Sequence, residues 1–591
     1  MHHEYTKLLR EKKMKVIIEN VSPEIKATDF LDYGNVCLSS SQDGDHDKLI
    51  EEAIEGNYDA LLTLRRPCNS HLEYWAKRIK RKVIVCYCIG EVSENRTHIE
   101  QEIKLSSFSL RDIAEGLRKT EKALSQRNVF SFANERAAIR NVIFVGAGIT
   151  NLISAFVLQN NGYNVKIFDS APEPNSDWIE QGCTFGGENA RMFTFTEMDN
   201  YGRQSFTENI ANPFSKPITQ GGWDIRKNRF SVDEELWSKQ YSNIPSWLAS
   251  SYNDDIFSLS NEASHLWKDL LGHEVFNHDD VFVKKDILRL YSTKKKLDAA
   301  VTRHSRIVNG VKLLNCKELA NYNSALSPAI NSGLIEGGFF VPGFTVMVHN
   351  LAKRIIKWIC QNGGSISWNS RVSAVSFGHK NINLLINDMD KEFEDSHLVM
   401  SPGVYDKSLL RSTPWENKIH GVLGCWGKVK LKAGMFQHSF KLTRENHTAE
   451  DSNITVTSDR NGNPELIFGS GYGWTGLDHN NINSVEYKYL KEGVLDTIYK
   501  FTEGLSENNS TDDAALQGVR YCVRPWTASS LGIYGDVYPD SKNAFILTGG
   551  HNTGGFAQSP IIAEAILSSI NGQGNILHSI YHPNRLDEFF K

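Results

Sequence analysis

The clearest hydrophobic pattern in the chain lies between residues 141 and 169. Val142–Val145 is a short apolar run that predicts a buried parallel strand, and Val165–Phe168 predicts a second one. Between the two runs, apolar residues recur at helical spacing over Ile149–Asn161, and Gly162 follows as a helix stop. The pattern therefore predicts a βαβ unit, in which a helix connects two parallel strands.

The residues before this unit predict a separate small α/β domain of the flavodoxin or Rossmann-like kind, at 15–125. Its predicted elements are a strand Lys15–Glu19, a helix Asp47–Gly56, a strand Ala60–Leu64, a helix His71–Lys80, a strand Lys82–Tyr87 and a helix Ser109–Leu124. Ser109 is the expected N-cap of the last helix. Residues 1–14 read as a polar tail, and residues 126–140 as a linker.

The rest of the chain predicts two interleaved domains, which makes the overall fold class α/β with an added antiparallel part. We expect a nucleotide-binding domain from residues 141–220, 335–405 and 515–591, and a substrate domain from 221–334 and 406–514. The runs His420–Lys432 and Asn453–Trp474 read as strands, and the turn Arg460–Asn463 predicts an antiparallel hairpin. An aromatic-rich, helical insertion places four rings in the expected core: Trp223, Phe230, Trp237 and Trp247.

Composition narrows the class of protein. The chain has 591 residues, of which 40% are hydrophobic and 23% charged, as is typical of a soluble globular protein. The net charge of −5 and the lack of a basic stripe argue against a nucleic-acid partner. No apolar stretch is long enough to span a membrane, and the charged N-terminus does not resemble a signal peptide. Nine cysteines without a CxxC motif favour reduced thiols, a cytoplasmic location and no metal site.

The βαβ unit carries a recognisable nucleotide-binding motif. Gly146 permits a tight turn after the first strand, and Gly148 lets a pyrophosphate approach the backbone at the helix N-terminus. Asp169 ends the second strand, where a carboxylate accepts hydrogen bonds from ribose hydroxyls. Asn151 replaces the third glycine of the motif, so we expect slightly looser packing of helix and strand there. A Rossmann-like unit without a nucleotide is the alternative interpretation.

Four separated segments between residues 140 and 572 resemble the D-amino-acid oxidase and dehydrogenase superfamily of FAD-dependent amine oxidoreductases. They are TFGGEN at 184–189, GFFVPG at 338–343 with the helix and strand that follow it, LVMSPG at 398–403, and VRYCVRPWTASSLGIY with NAFILTGGHNTGGF at 519–534 and 543–556. The resemblance implies FAD as the cofactor and an antiparallel sheet that roofs the flavin. On its own, the first segment also has the alternative interpretation of a turn before a strand.

The motif and the resemblance together give the expected cofactor-binding residues. These are Gly146, Ala147, Gly148, Ile149, Thr150, Asn151, Asp169, Thr184, Gly186, Gly187, Arg191, Val372, Gly403, Gly550, Asn552, Thr553, Gly554, Gly555 and Phe556. The glycine-rich turn near residue 550 would bring backbone donors to the flavin pyrimidine, where negative charge collects on reduction.

The resemblance also implies a substrate anchor. Arg524 matches the arginine that grips the substrate carboxylate, for which a guanidinium fork is suited. Pairing of Arg524 with an internal acid is the alternative, and Arg520 is a weaker candidate for the same task. His551 is a second candidate catalytic residue that could contact flavin or substrate. Glu188 and Glu197 are further residues expected to face the site.

The small N-terminal domain resembles the substrate-side domain of the D-2-hydroxyacid dehydrogenases, through KVIVCYCIGEVSENRTH and SLRDIAEGL at 82–98 and 109–117. Because no catalytic set from that family is present, we expect a docking role, or homo-oligomer formation, for this domain.

The sequence thus predicts an enzyme that oxidises a C–N bond of a small amine or amino acid to an imine by hydride transfer to FAD. Two alternatives stay open at this point. One is oxidation of a 2-hydroxy acid on the same scaffold, and the other is a flavoprotein that serves mainly as a docking module.

Overall fold

The computed structural model describes residues 15–581 apart from several internal gaps. The residues outside the description are 1–14, 22–24, 27–34, 42–43, 93–96, 110–111, 114–115, 118, 121–122, 124–138, 175–190, 197–212, 245, 306–310, 378–380, 405–406, 412, 414, 432–434, 459–461, 504–517, 538–542 and 582–591. The predicted tail, most of the predicted linker, and Thr184, Gly186, Gly187, Glu188 and Glu197 lie in these gaps.

The described strands, in chain order, are β1 Lys15–Ile18, β2 Asn35–Leu38, β3 Ala60–Arg65, β4 Val83–Ile89, β5 Ile99–Lys104, β6 Asn141–Val145, β7 Asn164–Phe168, β8 Met192–Thr194, β9 Lys284–Tyr291, β10 Leu314–Asn315, β11 Gly337–Thr345, β12 Ser365–Ser367, β13 Val372–Phe377, β14 Asn381–Ile386, β15 Met389–Glu394, β16 Ser396–Met400, β17 His420–Lys430, β18 Ser439–Thr443, β19 Asp451–Ser458, β20 Pro464–Gly476, β21 Arg520–Trp526, β22 Ile533–Val537 and β23 Phe545–Gly549.

The described helices are α1 His46–Glu55, α2 Asn69–Ile79, α3 Ile149–Asn160, α4 Val232–Asn243, α5 Ser246–Gly272, α6 Lys294–His304, α7 Cys316–Tyr322, α8 Ser327–Asn331, α9 Val348–Gln361, α10 Ser484–Thr502, α11 Ser559–Ile570 and α12 Leu577–Ile580. None of the helices in the described part of the chain is long and apolar enough to cross a bilayer.

The N-terminal domain is a five-stranded parallel sheet with the order β2-β1-β3-β4-β5, which is that of flavodoxin-like folds. Helices α1 and α2 pack on one face, where Leu49 and Trp75 join Ile17 and Leu61 in a buried cluster. The hydroxyl of Ser109 accepts a hydrogen bond from the Asp112 N–H at 3.3 Å, as an N-cap does. The prediction of a flavodoxin-like domain is confirmed.

The second sheet has six strands in the order β12-β7-β6-β16-β23-β22, and all neighbours are parallel except β22 and β23. Helix α3 packs against α9 and α11, while the antiparallel meander β13-β14-β15 packs against the other face through Ile382 and Leu384. Strands buried on both faces read as continuous apolar runs, which is why the βαβ unit was visible in the sequence.

The third sheet has nine strands and is mostly antiparallel, in the order β10-β11-β9-β18-β19-β20-β17-β21, with β8 paired to β11. The predicted hairpin is confirmed, because β19 pairs antiparallel with β20. Helix α10 covers one face of this sheet. Phe501 of α10 packs there against Phe440 of β18 and Phe468 of β20. The opposite face carries polar side chains and faces the cleft described below.

The strands of the two large sheets alternate in groups along the chain. Strands β8, β11 and β21 belong to the nine-stranded sheet, although the predicted boundaries place residues 141–220, 335–405 and 515–591 in the nucleotide-binding domain. Local composition shows that a segment is a strand, but which sheet it joins depends on distant partners. The domain boundaries therefore stay a prediction at these three segments.

Candidate active site

The carboxyl ends of four parallel strands meet at one edge of the six-stranded sheet. β6 pairs in parallel with β7 and β16, and β16 pairs in parallel with β23. The segments that follow these strands begin at Gly146, Asp169, Ser401 and Gly550. In open α/β sheets ligands bind outside this edge, so the sheet collects the predicted nucleotide-binding residues in one place.

The turn after β6 requires glycine at its first position. Gly146 has a φ of +96°, and its N–H donates to the Phe168 carbonyl at 2.8 Å. A Cβ at Gly146 would lie 3.0 Å from the backbone oxygen of Ser401. Both the backbone conformation and the close approach of the neighbouring strand therefore favour glycine here.

The N-terminus of α3 is open to an anion. Gly148 is its N-cap and offers no side-chain cap, and the first turn contains no acidic residue. The first N–H groups of a helix have no partner within it, so the amides of Ile149, Thr150 and Asn151 remain available at the positive end of the helix dipole. This arrangement fits a pyrophosphate.

Asn151, the residue that replaces the third glycine, is buried and fastens the turn. Its Nδ2 donates to the carbonyl oxygens of Val145 at 3.0 Å and Gly146 at 2.8 Å. The amide thus holds the end of β6 against the start of α3. Whether the packing of helix and strand is looser than with glycine stays a prediction.

Asp169 closes the turn from the other side. Its Oδ2 accepts from the Ala147 N–H at 2.5 Å and its Oδ1 from the Ala171 N–H at 2.7 Å. Burial raises the pKa of this carboxyl, and the two backbone hydrogen bonds oppose the rise. Each carboxylate oxygen has a second lone pair, so Asp169 can still accept from a ribose hydroxyl.

The chain between β12 and β13 runs beside Asp169. The Ser370 N–H donates to the Asp169 carbonyl at 2.8 Å, and the Asp169 N–H donates to Ser367 at 3.0 Å. Val372 follows, with its side chain buried in the core. Gly403, in the segment after β16, has a φ of +65°. The structure thus places Val372 and Gly403 in segments that flank the same edge.

The glycine-rich turn after β23 packs against the start of α3. Thr150 Oγ1 donates to the Gly555 carbonyl at 3.4 Å, and α11, which follows the turn, packs on α3. Asn552 receives the Thr527 N–H at its Oδ1 and donates its own N–H to the Pro525 carbonyl, at 3.1 and 2.9 Å.

The other residues of this turn differ in the contacts that they make. The Gly554 N–H donates to the His551 carbonyl at 2.9 Å, and Phe556 packs against Trp267. Thr553 Oγ1 is buried and makes no hydrogen bond to any part of the chain that the structure describes. Gly550 has a φ of +61°, and a Cβ there would lie 2.5 Å from the Thr527 side chain.

His551 is a buried, neutral side chain. Its Nε2 lies 2.8 Å from Thr548 Oγ1, and burial lowers its pKa to about 4. An imidazole that stays neutral at physiological pH can orient neighbouring groups but carries no charge to a substrate. The side chain of this candidate catalytic residue also contacts the ring of Tyr581, at 5.9 Å between ring centres.

Arg524 lies on β21 and points into a cleft. Its Nε donates to the Val422 carbonyl at 3.3 Å, and its Nη2 donates to the carbonyls of Leu423 at 3.3 Å and Gly471 at 2.7 Å. Its guanidinium also lies 5.1 Å from the ring centre of Tyr472. Within the described residues no acid pairs with Arg524, so the alternative of an internal ion pair receives no support.

These contacts leave one nitrogen of Arg524 open. Nε and Nη2 are committed to backbone carbonyls, whereas Nη1 has no hydrogen-bond partner among the residues that the structure describes. A carboxylate would therefore meet Nη1, in place of the two-nitrogen fork expected from the sequence. Arg520, the weaker candidate, begins β21 and lies on the exposed part of that strand.

The cleft has a cavity volume of about 60 Å³ and is lined by residues from both large sheets. Arg524 and Tyr472 come from the nine-stranded sheet, and Thr553 comes from the glycine-rich turn of the six-stranded sheet. Its other residues are Met192, Phe193, Gly424, Lys441, Asp451, Asn453, Gly469, Ser470, Gly471 and Cys522. A molecule in this cleft would lie between the predicted anchor and the predicted flavin turn.

Residues 141–568 match the family model of the FAD-dependent oxidoreductases, DAO. The chain belongs to this family. It is therefore an FAD-dependent oxidoreductase, as the four sequence segments indicated, and FAD is its cofactor.

Solved structures to which the chain is similar include glycine oxidases from Geobacillus kaustophilus and Bacillus cereus ATCC 14579, and L-proline dehydrogenase from P. horikoshii. The first is 14% identical with a TM-score of 0.49, over 74% of this chain and 95% of that one. The second is 12% identical with a TM-score of 0.48, over 74% and 96%. The third is 13% identical with a TM-score of 0.47, over 76% and 97%. No curated protein sequence matches the chain significantly.

The residues present fit FAD. The uncapped N-terminus of α3 would hold the pyrophosphate, Asp169 the adenosine ribose, and the Gly550–Phe556 turn the flavin end. The individual contacts with the cofactor stay predictions. Arg191 differs from the others, since its Nη1 donates to Thr457 Oγ1 on β19 of the nine-stranded sheet and to the sulfur of Met347, which precedes α9.

Three cleft residues of the oxidoreductase were missed in the sequence: Lys441, Asp451 and Asn453. Asp451 Oδ1 accepts from Thr443 Oγ1 at 2.8 Å, and its other oxygen has no hydrogen-bond partner among the described residues. The alternation of polar and apolar positions along β19 was a usable signal, because Asp451, Asn453 and Thr455 occur at every second position.

Proposed function

We propose that the oxidoreductase oxidises the C–N bond of an amino acid, or a closely related carboxylated amine, to an imine. The observation that carries this proposal is the open Nη1 of Arg524 in the cleft. A guanidinium is always charged, and this one has no acidic partner in the described part of the chain. A carboxylate on the substrate would supply that partner.

Asp451 favours an amine over a 2-hydroxy acid. It lines the same cleft as Arg524 and leaves one carboxylate oxygen open among the described residues. A carboxylate stabilises an ammonium group by charge, whereas a hydroxyl offers it only a neutral hydrogen bond. An amino acid would therefore satisfy both charged groups, and a hydroxy acid only Arg524.

The residues of the chain have three tasks in this reaction. Arg524 would hold the substrate carboxylate, Asp451 would bind the amino group, and the ring of Tyr472 would form one wall of the cleft. Trp223 stacks on Tyr472 at 4.6 Å between ring centres and so fixes that wall. Bound FAD supplies the chemistry of hydride acceptance. Correct positioning of the substrate is the part that the protein contributes.

The experiment is anaerobic bleaching of the purified yellow enzyme by D- and L-amino acids, amines and 2-hydroxy acids. We expect amino acids to reduce the flavin and hydroxy acids to leave it oxidised. Arg524→Leu should slow this reduction by a factor of about 30 to several thousand, because losing one half of a buried charge pair costs about 2–5 kcal/mol.

Arg520→Leu is the matched control, since Arg520 lies on the same strand outside the cleft lining. The flavin of Arg520→Leu should be reduced at the wild-type rate, and both variants should keep the wild-type flavin spectrum. Normal reduction in the Arg524 variant would reject the anchor. Bleaching by hydroxy acids alone would reject the proposed reaction.

A further inference from the structure

The peptide between Gly146 and Ala147 is held at both of its ends. Its carbonyl, which belongs to Gly146, accepts from Asn151 Nδ2 at 2.8 Å, and its N–H, which belongs to Ala147, donates to Asp169 Oδ2 at 2.5 Å. The peptide is trans, so its carbonyl and its N–H point in opposite directions. Asn151 and Asp169 therefore hold one planar group from two sides and fix its orientation.

The preceding peptide, between Val145 and Gly146, is held in the same way. Its carbonyl accepts from Asn151 Nδ2 at 3.0 Å and from the Ser401 N–H at 3.1 Å, while its N–H donates to the Phe168 carbonyl at 2.8 Å. An amide nitrogen has two hydrogens, and the two carbonyls of this turn accept both of them. Asn151 therefore joins both peptides of the turn to the start of α3.

The side chain of Asn151 lies in the interior of the protein. The residue is 1% exposed, and a Cβ at Gly146 would lie 3.6 Å from its Nδ2, so the amide fills the space beside the glycine. Its Oδ1 makes no hydrogen bond within the described part of the chain, so the donors are what this position uses. A buried amide destabilises a fold unless it forms hydrogen bonds, and a third glycine in the motif would bury no amide. The departure from the motif thus provides a fixed turn that a glycine does not provide.

This turn precedes the place where the pyrophosphate of FAD would bind. The open N–H groups at the start of α3 follow it directly, and Gly146 at its first position has a φ of +96°. A turn that rotates freely must be ordered when a ligand binds, and this ordering weakens the affinity. A turn that is already fixed avoids the loss.

We propose that Asn151 is a positioning residue for FAD, which holds the Gly146–Ala147 peptide against Asp169 and so presents a preformed pyrophosphate site. Two hydrogen bonds from its side chain replace the close packing of helix and strand that a third glycine allows. The side chain acts through the backbone of the turn. This role goes beyond the proposed function, because it does not depend on the substrate that the flavin oxidises.

The first test is the affinity for FAD, measured by the fluorescence of flavin released when the FAD-loaded full-length enzyme is diluted. Asn151→Leu keeps the approximate size of the side chain without its donors, and Asn151→Gly restores the motif. Both should weaken FAD binding at least about tenfold, because two buried carbonyls lose a donor.

Asn161→Leu is the matched control for this test. Asn161 is an exposed asparagine at the other end of α3, and its Nδ2 donates to the Val157 carbonyl at 2.8 Å. This variant should bind FAD as the wild type does. Wild-type affinity in Asn151→Gly would overturn the inference, and so would wild-type affinity in Asn151→Leu, since the side chain would then only fill space.

The second test asks whether Asn151 and Asp169 act through the same peptide. Loss of either residue frees this peptide, so Asp169→Ala should weaken FAD binding less in Asn151→Leu than in the wild type, by a factor of at least about 2. In Asn161→Leu, the effect of Asp169→Ala should be that seen in the wild type. An effect of Asp169→Ala that is equally large in Asn151→Leu would overturn the inference.

A spectroscopic measurement separates positioning from a general loss of stability. The phosphorus NMR resonances of bound FAD report the surroundings of its pyrophosphate. At saturating FAD they should shift in Asn151→Leu and keep their wild-type positions in Asn161→Leu. Unchanged resonances in Asn151→Leu would indicate a merely structural role and would overturn the inference. If Asn151→Leu does not fold, Asn151→Gly, which adds no bulk, serves for the same measurements.

Discussion

Asp169 shows how a single buried carboxylate can organise a cofactor site. Its two oxygens accept the N–H groups of Ala147 and Ala171, so it holds the turn after β6 and the segment after β7 together. Burial raises its pKa, which means that the folded protein bears a cost for keeping it charged. We expect this cost to be offset when FAD supplies ribose hydroxyls as further donors.

Asp169→Ala should weaken FAD binding by a factor of about 10 to 100, since removal of a charge-assisted hydrogen bond costs about 1.5–3 kcal/mol. The flavin retained after dialysis measures this. Asp390→Ala, at an exposed position on β15, is the control and should retain FAD fully. Retention in the Asp169 variant equal to that of the control would contradict the assignment.

His551 gives the folded protein a pH dependence. Its pKa is lowered from 6.5 to about 4 by burial, so below pH 6.5 the unfolded chain takes up a proton that the folded chain refuses. Stability is therefore lost as the pH falls from about 6.5 towards 4, at up to about 1.4 kcal/mol per pH unit.

Urea unfolding at pH 7 and pH 5 tests this. Between pH 7 and pH 5 the free energy of unfolding of the wild type should fall by about 2 kcal/mol more than that of His551→Gln, because glutamine does not titrate. The same loss in both proteins would show that His551 is already charged in the fold.

At the scale of elements, the substrate cleft depends on glycines that make room for larger groups. Gly424 on β17 faces Arg524 across the sheet, and a Cβ there would lie 3.0 Å from Nη2 and 3.2 Å from Cζ. A side chain at this position would push the guanidinium by a few tenths of an ångström, away from the place where it makes its three carbonyl contacts. Strand β17 thus positions the anchor through the carbonyls of Val422 and Leu423 and through the space left by Gly424.

Gly424→Ala should displace the guanidinium and raise KM for carboxylated substrates several-fold, while the flavin spectrum stays unchanged. Gly427→Ala is the control on the same strand, because its Cβ would meet Ile498 beneath the sheet. Steady-state kinetics with a carboxylated amine and an uncarboxylated one separates the two variants. An equal effect on both amines would mean that the change acts on the fold and not on the anchor.

The elements that sequence could predict are those with a local signal. Helix α3 begins at Ile149 as predicted and ends one residue earlier, because the apolar run, the glycine turn and the helix stop are all local. Lys441 was missed because SFKLT is a five-residue strand in which a lysine interrupts an apolar run. Its place in the cleft follows from pairing with β9 and β19, which are distant in sequence.

At the scale of the whole molecule, the N-terminal domain shares a core with the rest of the protein. Its strands pair only with one another among the described elements. Yet Ile18, Leu62 and Leu117 belong to the same continuous cluster of buried residues as Val142 and Leu152 of the flavin-binding half. One face of its sheet thus buries a cluster of its own, whereas the other face shares a cluster with the flavin-binding half.

Removal of residues 1–138 should therefore expose apolar surface and lower the unfolding temperature of the remaining protein by several degrees, although the FAD-binding segments stay intact. Differential scanning calorimetry of the FAD-loaded proteins measures this, and size-exclusion chromatography shows whether the exposed surface causes association. An unchanged unfolding temperature and a monomeric elution profile would support a purely docking role for the domain.

The interleaving of the two large sheets along the chain, with β8, β11 and β21 set between segments of the six-stranded sheet, has an evolutionary consequence. A substrate half that is assembled from several dispersed stretches of polypeptide cannot be inherited, exchanged or expressed as a cassette. Recombination with a relative through a single crossover would leave strands of one parent unmatched in the sheet of the other. New specificities in this scaffold should therefore arise by point substitution at the cleft, and engineers who wish to redirect it should do the same.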